Sequence, residues 1–467
     1  MKEGNEIQEL KELVGRLLDR IGRLEAENAE LKREHAELRR RLGLKSHNSH
    51  KPPATDGLSK KPAIPKESGK KNGGQEGHVG KTLRRVENPD EIVVHHAAQC
   101  RHCERKFSAA DVATIVQKRQ VFDIPLPKIE VTEHQVGEIS CCGERYYGEF
   151  PATVKSSVQY GAKIKGMSVM LNNEYRLPLE KVEQLLGEVY GVSFNQSTMM
   201  SANAECYEKL APLENQIKEE VLASETAHFD ETGLRIEGQL HWLHVASNNW
   251  WTYLFTHSKR GKLALESEPS IIKDYQDWAV HDGWESYFKF ENCRHILCNA
   301  HLLRELENLK ESGSAWGKEM QEYFFKLYKA SEKGQKMLTN RAEWETQYQQ
   351  ICARGELEEP LPESRKKGRP KNSVGRNLLN RLQKYQTGIM EYAFRDGIPF
   401  TNNQAERDIR CVKIKQKISN SFRSQTGANN YARIQGFVST LKKQTMNILT
   451  SLVHVFENQI FSFQMAR

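Results

Sequence analysis

Three consecutive runs, TAHFDETGLRI (226–236), QLHWLHVAS (239–247) and WWTYLFTH (250–257), constrain this chain more than any other stretch. Each mixes β-branched and aromatic residues with strand-like alternation, and the breaks between them, Glu237-Gly238 and Asn248-Asn249, are two-residue turn signals. Three antiparallel strands in a row are the expectation. A helical segment should follow, then a short strand in DWAVHD (277–282), a loop, a further apolar step at HILC (295–298) and a helix beginning near Asn299.

The order βββαβαβα is that of the ribonuclease-H-like fold. There an acid in the first strand lies beside an acid at the end of the fourth, positions held here by Asp230 and Asp282, and a third acid comes from a later helix. TNNQAERDIR (401–410) supplies it as Glu406. On a helix Asn402, Asn403, Glu406 and Arg410 could share one stripe, although a solvated face with an i, i+4 ion pair would produce the same stripe. Three converging carboxylates need cations, and hard divalent cations select oxygen ligands. Two Mg2+ ions about 3.5–4 Å apart are the usual arrangement for phosphodiester chemistry. Glu231 follows Asp230 directly, so the strand pleat should turn it to the opposite face and exclude it from the site.

The remainder reads as a multidomain chain, since 467 residues exceed one ordinary core. Leu10, Leu17, Leu24, Leu31 and Leu38 recur every seven residues, with Ile7, Val14, Ile21, Asn28, His35 and Leu42 on the companion seam. This is leucine-zipper patterning over residues 1–44, and Asn28 on the seam favours a two-stranded homodimer. Packing of the same stripe against the rest of the chain is the alternative. A Pro-, Gly-, Ser- and Lys-rich linker follows over 45–90. Lys and Arg outnumber Asp and Glu by 69 to 61, but the excess is local: ten basic residues against three acids between Lys45 and Arg85, and RKKGRPK at 365–371. Polyanions are the natural partner of such stretches. No apolar run is long enough to span a bilayer and the N-terminus has no signal-peptide core, so a cytoplasmic protein is expected.

Nine cysteines are too few for a disulfide scaffold. Four of them, Cys100 and Cys103 in CRHC and Cys141 and Cys142 in CC, suggest a zinc-finger-like domain over 91–155 with a structural Zn2+. Adjacent cysteines point apart in an extended chain, so the fourth ligand is open, with His95, His96, His102 or His134 as substitutes and buried free thiols as the competing reading. Over 156–220, VEQLLGEVYGV and STMMSANAECYEKL around GVSFNQ resemble a helix-turn-helix with Ser197 capping the second helix. Ordinary helical packing gives the same pattern.

Several motifs together resemble the DDE transposases of the insertion-sequence-sixty-six family. They are the leading zipper, SHNSHKPPATDG, QVFDIPLPKIEVTEHQV around the cysteines, HFDETGLRI, VHDGWESYF, CNAHLLREL, and TNNQAERDIR with VKIKQKISNSFRS. The resemblance implies that Asp230, Asp282 and Glu406 are the catalytic triad and Mg2+ ligands. It implies also that Cys298 and His301 form a CxxH element in which His301 steadies the scissile phosphate or a metal-bound water. The catalytic domain would then comprise 221–310 and 385–455, with a helical insertion at 311–384 and a tail at 456–467. Further implications are cleavage and joining at the element's own terminal inverted repeats, partners that include DNA, further copies of the chain and accessory proteins of the element, and a bacterial cytoplasm. Asn402, Asn403, Arg407, Arg410, Lys413, Lys415 and Lys417 would line the DNA path, with Arg369 in the basic segment. Two other classes fit parts of the sequence: a ribonuclease or junction nuclease that cuts without joining, and a non-catalytic zipper and zinc-finger regulator.

Overall fold

The computed structural model describes residues 14–25, 27, 28, 31 and 83–463, apart from 96, 109–110, 112–113, 126, 192 and 363–371. SHNSHKPPATDG, RKKGRPK with Arg369, His96 and the zipper positions Ile7, Leu10, His35, Leu38 and Leu42 therefore lie outside the described residues. The chain divides into two units, Leu58–Val131 with Val189–Gly191, and the remainder.

Residues 14–25 form helix α1. Its seam positions Val14, Leu17, Ile21 and Leu24 are each about half exposed, at 47%, 51%, 50% and 56%. In the smaller unit Gln99 bridges Lys106, the Cys100 amide donates to Arg105 O at 2.8 Å, and Glu104 N donates to Cys100 O at 3.0 Å, closing a tight turn around CRHC.

In the larger unit an exposed antiparallel hairpin comes first, β1 (Glu138–Cys141) and β2 (Glu144–Tyr147). Helices α2 (Ala162–Asn173), α3 (Leu179–Tyr190), α4 (Gln196–Lys209) and α5 (Ala211–Leu222) follow. The cap of α4 is Asn195, whose Oδ1 accepts the Thr198 amide at 2.9 Å, and not Ser197, which instead hydrogen-bonds that same oxygen from within the first turn. Buried Met199, Ala202 and Cys206 commit one face of α4 to the core.

The expected meander is present as β3 (Thr226–Ile236), β4 (Gln239–Ser247) and β5 (Thr252–His257). Glu237 and Gly238 both have positive φ, 52° and 77°, the conformation a two-residue hairpin of the right twist requires. The third strand starts two residues later than the sequence suggests. Asn248 Oδ1 accepts the amides of Trp250 and Trp251, at 2.9 and 2.8 Å, and so holds both tryptophans in the turn. A four-residue helix α6 (Lys262–Leu265) leads to β6 (Trp278–His281); one 3-10 turn (Tyr287–Lys289) leads to β7 (Arg294–Leu297).

These five strands make a mixed sheet of order β5-β4-β3-β6-β7, with β3, β6 and β7 parallel. One face packs Ala227, Phe229 and Ala279 on Ile217, Val221 and Tyr275. The other packs Leu234, Leu243 and Val245 on Ala405, Ile409 and Val412. Helices α7 (Asn299–Glu311), α8 (Ala315–Ala330), α9 (Arg341–Glu358), α10 (Val374–Lys384) and α11 (Gln386–Met390) build a separate core around Trp316, Tyr348 and Leu378 that reaches Val280 and Ile296 of the sheet. The chain then returns through α12 (Asn403–Ser419), α13 (Gln425–Lys443) and α14 (Ile448–Phe456).

Helices cover both sheet edges, the usual protection against edge-to-edge pairing. On β5, Thr440 of α13 accepts the Thr252 amide through Oγ1 at 3.0 Å. On β7, α11 approaches so closely that a Cβ on Gly388 would stand 2.1 Å from the His295 carbonyl oxygen, which only glycine avoids. The segment expected as a tail is partly core: Phe463 is buried and packs edge-on to Trp251, with ring centres 4.9 Å apart. Among the described residues no helix is long and apolar enough to cross a membrane.

Candidate active site and metal centres

The parallel ladder pairs Thr226 with Trp278, Ala227 with Ala279 and His228 with Val280. Continued by two residues, the same register sets Asp230 level with Asp282. Asp230 lies on the sheet face that also carries Val245 and Leu234, and Asp282, one residue past the end of β6, is close enough for its charge to act on Asp230. Burial pushes Asp230 well above the usual carboxylate range, and the nearby charges of Glu231, Asp282 and Glu406 push it further in the same direction.

Helix α12 carries Glu406 in its first turn on that face. Three contacts of Asn402, the residue preceding the helix, fix its start. Asn402 Oδ1 meets His228 Nδ1 at 2.9 Å, its Nδ2 donates to Phe229 O at 2.8 Å, and its amide donates to Cys298 Sγ at 3.1 Å. Since Nδ2 is committed to a carbonyl, Oδ1 faces the imidazole and His228 must donate from Nδ1. Burial lowers His228 to about 4, which keeps it neutral in that tautomer. Asn402 is 1% exposed, so it braces the helix internally instead of facing DNA as the sequence suggested. Its neighbour Asn403 is exposed, as are Arg407, Arg410, Lys413 and Lys417. Lys415 also departs from expectation: its ammonium donates to Asn172 O at 3.3 Å, and burial lowers it to about 8.

The start of α7 meets the start of α12. Asn299 N donates to Phe400 O at 3.1 Å, while Cys298 precedes α7 and His301 lies in its first turn. One ligand atom from each of Cys298, His301 and Glu406 lies within 4.8 Å of the other two. Glu406 Oε1 is buried with no hydrogen-bond partner, and its other oxygen is 4.0 Å from Arg410. A buried carboxylate oxygen with no hydrogen-bond partner, close enough to Asp230 for their charges to act on each other, has the chemistry to take a cation.

Two features invisible to the sequence reading hold the Asp282 turn. Gly283 N donates to His281 Nδ1 at 3.0 Å, His281 Nε2 meets His295 Nδ1 at 3.0 Å, and His295 Nε2 meets Phe290 O at 3.1 Å. The chain has one consistent proton order, with both imidazoles neutral and each Nε2 protonated. On the opposite face of the sheet Glu231 is fully buried, bonded to Tyr287 and ion-paired with Arg260 at 2.7 Å. Arg260 in turn lies over the rings of Trp284 and Trp242, 4.2 and 5.0 Å from their centres. The sequence signal for the relay was the His adjoining Asp282, in VHD.

Each cysteine pair has a local shape of its own. The amides of Cys103 and His102 face Cys100 and hold its thiol below the usual value. Cys141 and Cys142 do not point apart: Cys142 has φ 55°, Gly143 φ 83°, and the two sulfurs lie 3.6 Å apart. Two thiolates on one tetrahedral zinc at about 2.3 Å each would stand about 3.8 Å apart. A left-handed residue at the hairpin tip therefore removes the objection to adjacent cysteines.

The sequence model described as Transposase IS66 family matches residues 157–430, which is most of the chain and includes every element that positions Asp230, Asp282 and Glu406. The chain belongs to that family. A second model, of a family of unknown function (DUF6444), matches residues 2–84 of the transposase. No curated protein matches it. As a member of a transposase family it is an enzyme that acts on DNA.

Proposed function

We propose that this transposase cleaves DNA at the terminal inverted repeats of its own insertion sequence and joins the freed ends to target DNA, on a ribonuclease-H-like domain. Asp230, Asp282 and Glu406 would hold two Mg2+ ions. What supports the reading is that the charges of Asp282, one residue past β6, and of Glu406 both act on Asp230, and that Glu406 Oε1 has no hydrogen-bond partner. Bound Mg2+ would activate the attacking oxygen and stabilise the leaving oxygen at phosphorus.

The chain's own residues do the positioning. Asn402 and His228 set the pitch of the Glu406 helix against β3, and the His281–His295 relay sets the turn that presents Asp282. The first turns of α7 and α12 would bring two positive helix ends to the place where a scissile phosphate would lie. His301, in the α7 turn, would steady that phosphate. Exposed Asn403, Arg407, Arg410 and Lys413 would track the DNA backbone. A strand-transfer assay with a pre-cleaved terminal-repeat duplex tests the whole: joined product in Mg2+ is expected. Cutting without joining would support a nuclease instead, and binding without either would support a regulator.

The zipper and zinc finger belong to the same proposal. The exposed apolar seam of α1 fits a two-stranded coiled coil, so Leu24→Pro should convert a dimer to a monomer in sedimentation. Unchanged mass would show that dimerisation lies elsewhere. A structural zinc held through Cys100 and Cys103 predicts about one tightly held Zn2+ per chain in freshly purified, reduced protein. Metal analysis finding none would remove the finger.

A further inference from the structure

Cys298, His301 and Glu406 present one sulfur, one nitrogen and one oxygen to a common point, within 4.8 Å of each other. That donor set does not suit Mg2+, which selects oxygen and keeps several waters. Thiolate and imidazole select a borderline-soft ion of the zinc type, which accepts three protein ligands and leaves a fourth position open.

Three details make the group more than a chance meeting. Cys298 is 1% exposed and its Sγ accepts the Asn402 amide at 3.1 Å, a donor that would compensate a thiolate. Cys298 and His301 are carried by the same rigid helix start, so their spacing does not depend on a loop. Glu406 Oε1 has no other partner. Donors on one tetrahedral zinc stand about 3.3–3.8 Å apart, so closing from 4.8 Å takes about 1 Å of side-chain adjustment.

We propose that Cys298, His301 and Glu406 form a second, inhibitory metal site that takes a zinc-type cation and, when filled, withdraws Glu406 from the Asp230–Asp282 pair. The inhibitory part rests on the triad reading above; the binding part does not.

The test uses the full-length chain stripped of metal, with Co2+ as the probe, because a cobalt–thiolate bond gives a sulfur-to-metal charge-transfer absorption. The expected result is a component of that absorption that survives Cys100→Ser, disappears in Cys298→Ser, is displaced by Zn2+ and resists a large excess of Mg2+. His301→Gln, which leaves the buried thiol in place, should weaken this component at least about tenfold. A spectrum unchanged by both Cys298→Ser and His301→Gln overturns the site. In the parent, Zn2+ should inhibit Mg2+-dependent nicking of a terminal-repeat duplex, and a Zn2+-selective chelator that leaves Mg2+ in place should relieve it. Full nicking while the Cys298 component is saturated with Zn2+ overturns the competition. If Mg2+ supports no nicking at all, the triad reading fails and the cobalt spectra still decide the site.

Discussion

Replacing Glu406 by Gln should leave binding of the terminal-repeat duplex unchanged in a gel shift and lower Mg2+-dependent nicking and joining by about a thousandfold or more. Gln keeps the length of the side chain and its place in the first turn of α12, so Asn402 can still brace the helix on His228 and Phe229. What it removes is the negative charge beside an oxygen that has no other partner. Glu231→Gln is the matched comparison. Its side chain lies on the far face, where Gln can still bond to Tyr287 but no longer neutralises Arg260. Losing one partner of a pair whose carboxylate is fully buried and whose guanidinium is 37% exposed should cost about 2 kcal/mol of stability, with a modest loss of rate. The two variants therefore separate by kind: one loses rate at parental melting temperature, the other loses melting temperature at near-parental rate. Near-parental cleavage by Glu406→Gln together with a dead Glu231→Gln would mean that the wrong acid has been assigned, and TNNQAERDIR would revert to a solvated helix face.

The strands were legible because their signals are local. Alternation in TAHFDETGLRI and QLHWLHVAS, broken by Glu237-Gly238, depends on residues within reach of one hairpin, and the observed spans agree. The start of β5 was misplaced because the side chain of Asn248 captures two amides that the apolar run WWTYLFTH would otherwise have offered to the ladder. Asn402 was misjudged for a different reason. Its stripe neighbours Asn403 and Arg410 are exposed, and the partners that bury it, His228 and Phe229, lie 174 and 173 residues away. No window over TNNQAERDIR contains them. The CC pair failed on an assumption, extended backbone, that the following Gly143 should have called into question, since Cys142-Gly143 forms the tip of a hairpin with positive φ at both residues.

Lys443→Met should be strongly destabilising, lowering the melting temperature by about 6–20 °C. Lys443 Nζ donates to Asn248 O at 2.7 Å, Trp251 O at 3.0 Å and Asp408 Oδ2 at 2.8 Å, which uses all three ammonium protons. The side chains are 11% and 8% exposed, so water cannot take over for either partner. Burial lowers Lys443, and the Asp408 carboxylate works against that shift. Met fills the space but strands Asp408 with only the weak donors Gln404, at 3.1 Å, and Ser439, at 3.4 Å. Removing one partner of a buried pair costs about 3–5 kcal/mol, and in a domain of this size each kcal/mol moves the midpoint by about 2–4 °C. Because the cost is the stranded charge and not the lost attraction, Asp408→Asn added to Lys443→Met should recover a large part of it. Asp408 lies two residues beyond Glu406 and ties α12 to the β4–β5 turn, so the single variant should also lose nicking activity, and the double variant should regain it with the melting temperature. A single variant within about 2 °C of the parent, or a double variant less stable than Lys443→Met alone, would show that the pair does not hold α12 against the sheet.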